Sequence, residues 1–596
     1  MDEGIIKGGS FLIEDIRPDQ VFTPEDFDEE QRLVAKSTEE FAQGEVLPRA
    51  DELEELNYEL IRSLMRRAGE LGLLSADIPE VYGGMGLDKV SSTLITEKMT
   101  QGGTSFTVTF ADHTGIGSLP IVFFGTPRQK EKYLPRLASG ECIGAYALTE
   151  SEHGSDALRC KATATLSRDG EFYLLNGQKQ FITNAGFADL FLTYAQVDGD
   201  KFTGFIVERD SDGLSLDEEE KKMGVHGTST RGVIFEDVKV PVENVLGEIG
   251  RGHVVALNTL NIGRFKLGGA CIGGAKVMLG EAIRYAKQRV QFGRPIAEFG
   301  LIKHKIGEMA LRIYVTESMV YRTAGLIDRI LQGIDPTAED AGQKTASGIR
   351  EYATECSINK VYGSEMLDYV VDEAVQILGG YGYIQEYLPE RAYRDSRINR
   401  IWEGTNEINR MLILDMLMRK AMKGELALLP AIQKLTGEFM TYTPSLMEST
   451  DVPLSSQRKL VEMAKKTGLM AAGLATQKYM EKLRDEQEIV ASIADMVIEI
   501  YAMESAVLRA QKKIEKDGLD AAKIHVAATQ IYLDEAFPRV ELLARQVLGA
   551  VSQGDELRTQ LAGLRKFARY TPINGVALRR QIADSVLGVS RYHLSP

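Results

Sequence analysis

Residues 379–410 read GGYGYIQEYLPERAYRDSRINRIWEGTNEINR. A glycine-rich turn leads into a run of charges, and the chain's only tryptophan, Trp402, stands directly before Glu403. Gly404 and Thr405 follow. From Ile408 the apolar residues Met411, Leu412 and Leu417 recur at helical spacing, with Thr405 or Asn406 as the cap. The pattern predicts Glu403 in a loop just ahead of a helix start, flanked by Ile401 and Trp402. A carboxylate held against a large apolar ring loses hydration, which raises its pKa toward the range of a general base. The helix N-terminus behind it works the other way and favours the anion. On these residues alone, Glu403 fits a solvated loop acid better than a catalytic group.

Outward from this stretch, the chain has 596 residues, too many for one core, and three or four domains are expected. Hydrophobic residues make up 44% and charged residues 26%, the balance of an ordinary globular protein. A net charge of -16 argues against nonspecific nucleic-acid binding, which needs basic patches. Cys142, Cys160, Cys271 and Cys356 lack CxxC spacing and the seven histidines form no HExxH pattern, so neither a disulfide framework nor a metal site is expected. The N-terminal MDEGIIKGGSFLIEDIRPD carries acids where a presequence would carry arginine and an apolar run. No stretch is long and apolar enough to span a bilayer, and a cytoplasmic location is the expectation.

Residues 1–145 read as mostly helical, with three-four apolar spacing over Glu30–Gln43 and Tyr58–Leu71. Between 146 and 250 the period changes to that of strands. Phe172–Leu175 ends at Asn176-Gly177, which predicts a hairpin turn, and Lys179–Thr183 resumes the strand. Leu190–Val197, Phe202–Val207 and Gly232–Val240 are further β-rich runs. Long helices return over 251–430, at Gly274–Gln291, Ile302–Leu331 and about Ala338–Tyr369, which suits a bundle. Residues 431–456, with their proline and serine passage from Thr441 to Ser456, read as a linker. Residues 457–596 are helical again. This last region serves either for membrane or subunit contact or as a second bundle covering apolar surface of the first.

The motif from Arg394-Asp395 through Ile401-Trp402-Glu403-Gly404-Thr405 resembles the C-terminal signature of acyl-CoA dehydrogenases, in which the glutamate before Gly-Thr is the catalytic base. The resemblance extends to Ile78–Gly84, Tyr146–Glu150, Lys179–Asn184, Arg289–Gly293 and Gln376–Gly380, six motifs in family order over roughly the first 420 residues. Leu260–Phe265, Phe299–Ile302 and the extra C-terminal region look most like the very-long-chain branch. The fold this implies is mainly α with a central β domain: N-terminal helices, a middle β-barrel domain, a four-helix bundle, and an appended helical domain.

No GxGxxG lies between a strand and a helix, which disfavours a Rossmann site. The resemblance instead implies non-covalent FAD held by the β domain and the bundle. Tyr146, Leu148, Thr149, Gly154 and Ser155 would contact it from a strand and a Gly-Ser-Asp turn, whose hydroxyls and N–H groups suit a ring edge and a phosphate. Phe181, Ile182 and Thr183 would contact it from a second strand, and Thr405 and Asn406 from the turn beyond the base. Arg289, Gln291 and Phe292, with Gln376, Gly379 and Gly380, would serve the FAD of a neighbouring subunit, Arg289 on the pyrophosphate and Phe292 against the adenine. The protein would then work as a homodimer at least. Read singly, Arg289 is a C-terminal helix cation opposing the dipole. Two departures from the family stand out: Ser151 where proline is common, and Phe181 where tryptophan is common, which keeps a ring but loses its N–H.

On the substrate side the resemblance carries over Ser155, Asn261, Gly263, Arg264, Trp402 and Gly404, with Arg264 on the CoA nucleotide. Gly263 stands where some branches carry the catalytic glutamate, which leaves Glu403 as the base. The reaction implied is α,β-dehydrogenation of a long-chain fatty acyl-CoA in β-oxidation: Glu403 removes the α-proton, a hydride leaves the β-carbon for the flavin, and a trans-2-enoyl-CoA results. Electrons would pass to an electron-transferring flavoprotein, and the resemblance leaves room for peripheral membrane contact. The rival readings are an acyl-CoA oxidase that uses oxygen, and a non-catalytic assembly protein on the same fold.

Overall fold

The structure, a computed structural model, describes residues 5–441, 452–567 and 570–595. An N-terminal layer of helices comprises α1 (Glu29–Phe41), α2 (Ala50–Glu54), α3 (Tyr58–Glu70), α4 (Lys89–Met99), α5 (Thr104–Thr114), α6 (Leu119–Phe124) and α7 (Pro127–Ser139). Asp28, Asn57 and Asp88 cap α1, α3 and α4 by accepting a backbone N–H three residues on.

The β domain follows as β1 (Gly144–Ala147), β2 (Thr163–Leu166), β3 (Phe172–Thr183), β4 (Leu190–Val197), β5 (Lys201–Glu208), β6 (Leu214–Leu216), β7 (Thr230–Pro241) and β8 (Val245–Leu246). They form one eight-stranded sheet in the order β6-β7-β3-β2-β4-β5-β8, with β1 laid parallel on β4. The hairpin expected at Asn176-Gly177 is absent. β3 runs straight through it, and its register against β7 shifts between Leu175 and Gly177. Gly177 sits at φ 143°, and a Cβ there would lie 2.7 Å from the Cα of Ala162. The glycine therefore serves a bulge pressed against a neighbouring segment, the other common use of glycine in a strand.

Four helices make the bundle: α8 (Gly252–Gln288), α9 (Gly300–Leu331), α11 (Ala353–Leu378) and α13 (Asn406–Met422). α8, at 37 residues, is about 55 Å long and starts well before the predicted helix. A short ribbon, β9 (Val290–Gln291) with β10 (Arg294–Pro295), follows it. The helix expected over Ala338–Tyr369 is split at Tyr352 into α10 (Ala341–Glu351) and α11, and α12 (Leu388–Ser396) precedes the Glu403 turn. Within the passage expected as a linker, Leu428–Thr441 forms α14, and residues 442–451 lie outside the described residues. The C-terminal region holds α15 (Ser455–Tyr479), α16 (Gln487–Asp517), α17 (Lys523–Val551), α18 (Gly554–Phe567) and α19 (Gly575–Val589). α16 packs on α9 and α13, and α19 on α9, so one continuous apolar core joins the bundle to this region. Among the described residues no helix is long and apolar enough to cross a membrane.

Candidate active site

The turn that carries Glu403 is built from two left-handed residues in succession, Glu403 at φ 56° and Gly404 at φ 77°. For glutamate this conformation costs on the order of 1–2 kcal/mol, so neighbouring structure must hold it. Three buried side chains do. From α8, Arg264 Nε donates to the Glu403 carbonyl at 3.1 Å, and from α11, Lys360 Nζ donates to the Gly404 carbonyl at 2.8 Å. From α13 itself, Asn409 Nδ2 donates to the carbonyls of Gly404 (2.8 Å) and Thr405 (3.0 Å). Thr405 is the cap of α13, its Oγ1 accepting from the Ile408 N–H at 3.2 Å, as the sequence predicts.

With its carbonyl drawn inward, Glu403 lays its carboxyl against Gly263 of α8, where a Cβ would fall 2.5 Å from Glu403 Cδ. One carboxyl oxygen, Oε2, is buried without a hydrogen-bond partner among the described residues. Burial raises the Glu403 carboxyl to about 7, against the downward pull of Arg264 and Lys360. Burial thus wins the contest left open by the sequence. A second carboxyl, Asp112 on α5, is pushed well above its ordinary range by burial and by Glu403. One of its oxygens accepts from Asn184 Nδ2 at 3.2 Å.

The strand residues assemble beside one another as expected. β1 pairs with β4, placing Tyr146 against Leu192, and the Gln180 N–H donates to the Thr149 carbonyl at 2.9 Å. Glu150 anchors the turn that follows by accepting from Lys179 Nζ (2.7 Å) and from the N–H groups of Lys161 (2.6 Å) and Ala162 (3.1 Å). On that turn Ser155 is exposed and the space a Gly154 Cβ would enter is open. Leu148 and Ile182 are buried beneath the surface and Thr183 is half-buried. Phe181 takes φ 60° at an irregularity in β3 and presents its ring outward, 57% exposed. The Tyr146 hydroxyl and Trp402 Nε1 are buried without partners among the described residues.

Arg289, Gln291, Gly379 and Gly380 meet elsewhere, around a cavity of about 460 Å³ also lined by Tyr285 and Tyr381. Arg289 follows α8, its guanidinium 5.8 Å from the centre of the Tyr381 ring. Phe292 projects beside this ribbon, 94% exposed, and Gln376 is exposed on the last turn of α11. Neither Glu403, Tyr146 nor Phe181 lines this cavity. The expected cofactor contacts therefore fall into two groups that a single chain does not bring together.

Two of the expected contact residues are engaged within the fold. Arg264 is buried and bonded to the Glu403 carbonyl and to Asn261 Oδ1 (3.1 Å), and so supports the Glu403 turn from behind. The Asn406 amide is bonded to α11. Its Oδ1 accepts from Lys360 (2.7 Å) and its Nδ2 donates to Ser364 (3.0 Å) and Glu365 (3.0 Å), all on α11. Lys360 and Asp112 were not singled out from sequence. The available signal was a charge inside an apolar helical run, as in Ile358-Asn359-Lys360-Val361 and Phe110-Ala111-Asp112.

Four family models match in chain order: Acyl-CoA dehydrogenase, N-terminal domain over residues 28–141, middle domain over 145–238, and two C-terminal domain models over 250–418 and 463–566. A probable acyl-CoA dehydrogenase of Bacillus subtilis is 53% identical over 98% of both chains. The very long-chain specific acyl-CoA dehydrogenase of Rattus norvegicus is 32% identical over 88% of this chain and 80% of its own length. The crystal structure of an acyl-CoA dehydrogenase from Bacillus anthracis, complexed with FAD, superposes with a TM-score of 0.97 at 53% identity, over 99% of this chain and 100% of that one. The helical layer, central sheet and long-helix bundle with a buried glutamate in its turn thus place the chain in the acyl-CoA dehydrogenase family. Within it, the protein shares the appended C-terminal helical domain and the branch likeness of the very long-chain enzymes.

Proposed function

We propose that the protein catalyses the FAD-dependent α,β-dehydrogenation of long-chain fatty acyl-CoA to trans-2-enoyl-CoA, with Glu403 as the base. The observation that carries this reading is the Glu403 carboxyl: buried, with one oxygen unpartnered, and poised to exchange a proton near pH 7. The residues around it suit a flavin, with open space beyond Gly154, an outward Phe181 ring, and unpartnered Trp402 and Tyr146 polar atoms. When bound, FAD supplies the acceptor for the hydride that leaves the β-carbon, and passes its electrons to an electron-transferring flavoprotein.

The chain's own residues do the rest. Arg264, Lys360 and Asn409 fix the turn so that the carboxylate can meet the α-carbon, and the Glu403 N–H, which donates no backbone bond among the described residues, can meet the thioester oxygen. In a homodimer, the Arg289–Gly380 cavity of one protomer would complete the FAD site of its partner, which explains why one chain leaves the contacts in two groups. A long acyl chain is favoured by the likeness to very long-chain enzymes along 88% of this chain. Four free, buried cysteines suit the reducing cytoplasm.

Anaerobic titration with palmitoyl-CoA tests the reading. The flavin of the parent protein bleaches stoichiometrically, and Glu403→Gln retains FAD but does not bleach. Bleaching at the parent rate in that variant sinks the assignment, and hydrogen peroxide release without an added acceptor makes the protein an oxidase.

A further inference from the structure

Lys360 sits in the middle of α11, fully buried, yet among the described residues it makes no ion pair. Its two contacts are neutral oxygens, the Gly404 carbonyl at 2.8 Å and Asn406 Oδ1 at 2.7 Å. Arg264 on α8 is equally buried and equally without a carboxylate against it, bonded to the Glu403 carbonyl and Asn261 Oδ1. Burying an unpaired cation costs several kcal/mol, so two in one place call for a compensating charge. The groups facing Lys360 are Glu403 from the turn, Arg264 and Cys271 from α8, Glu365 from α11 itself, and Glu407 from the first turn of α13. Glu365 is taken by Arg410 at 2.9 Å and by Asn406. The Asp112 carboxyl is pushed well above its ordinary range by burial and by Glu403. The carboxyl that acts on both cations is Glu403.

We propose that Lys360 is a positioning residue for the base: it fixes the Glu403 turn through Gly404 and Asn406, and its charge favours the ionised carboxyl over the protonated one. The inference rests on Glu403 acting as the base. It makes the pH at which the enzyme switches on a property of α11 as well as of the turn. Burial lowers the Lys360 ammonium to about 8, against the pull of Glu403, so the support is full at neutral pH and fades in mild alkali.

The test is the rate of anaerobic flavin bleaching by palmitoyl-CoA between pH 5.5 and 9, with FAD content and thermal midpoint measured on the same samples. Loss of a nearby cation disfavours the carboxylate, so Lys360→Met moves the midpoint of the acid limb upward by about one pH unit. Well below both midpoints the rate falls up to about tenfold. Asn406→Asp keeps the lysine but places a carboxylate against it, and shifts the acid limb in the same direction even where Lys360→Met fails to fold. An unmoved midpoint in the folded variants, with rate lost equally at every pH, overturns the proposal and leaves Lys360 as a packing residue. Persistent bleaching in Glu403→Gln overturns the base assignment instead, so the two failures are distinguishable.

Discussion

Glu403 is held in a state that folding disfavours and that the proposed role as base requires. Its carboxyl is pushed from 4.5 to about 7 by burial, so between those values the folded protein keeps a proton that the unfolded chain has released. Stability therefore falls as pH rises through this window and stays lower above it, by roughly 3 kcal/mol for a shift of this size. Glu403→Gln is expected to unfold at higher urea concentration than the parent at pH 8, with the gap closing toward pH 4.5. A pH-independent difference would show that the carboxyl is not raised. At this scale the sequence was most legible where the motif was local: Trp402-Glu403-Gly404-Thr405 encodes the turn and its cap in four residues. Lys360 and Asp112 were illegible because a charge on a helix reads as solvent-facing until its neighbours from other helices are known. The bond from Arg264 to the Glu403 carbonyl was illegible for the same reason, since its partner lies 139 residues away.

Among the elements, β3 is the strand that was misread. Asn-Gly between two apolar runs is the commonest hairpin signal, yet here the strand continues because β7 pairs along its whole length and absorbs the irregularity as a bulge. Periodicity within a strand does not reveal which strand lies beside it. The same β3 buries Lys179 completely against Glu150, whose carboxyl burial would raise and Lys179 holds below its ordinary range. Lys179→Met leaves that carboxylate buried with only backbone donors. The expected cost is about 3–5 kcal/mol, read as a lower urea midpoint, together with loss of FAD on gel filtration as the turn at Gly154-Ser155 loosens. Full FAD retention would show that the turn holds its shape without the buried pair. The bundle helices were easier to foresee, since long apolar runs specify a helix even where its ends are displaced, as for α8.

Across the whole molecule, the appended helices are joined to the catalytic bundle by charge as well as by core. Arg509 of α16 is fully buried between Glu25 (2.9 Å) and Glu317 of α9 (2.7 Å), and also donates to the Leu594 carbonyl at 2.7 Å. Burial would raise the Glu25 carboxyl, but Arg509 holds it well below its ordinary 4.5. The stabilisation is present above that value and lost as pH falls below it toward the depressed one. Arg509→Met leaves the buried Glu25 carboxylate without its arginine, while Glu317 keeps Lys276 at 2.5 Å, and should cost about 3–5 kcal/mol at pH 7, with a markedly smaller deficit below pH 4. An equal deficit at both pH values would reduce the residue to packing. Of the two readings open for this region, packing against the first bundle is what the core displays. The junction itself could not be foreseen, because Glu25, Glu317 and Arg509 are separated by hundreds of residues. The same guanidinium therefore gathers an early stretch of the polypeptide and a late one into a single knot. A pull on the segment around Glu25 or around Leu594 would load that lock, and through Glu317 it would load α9 of the bundle as well.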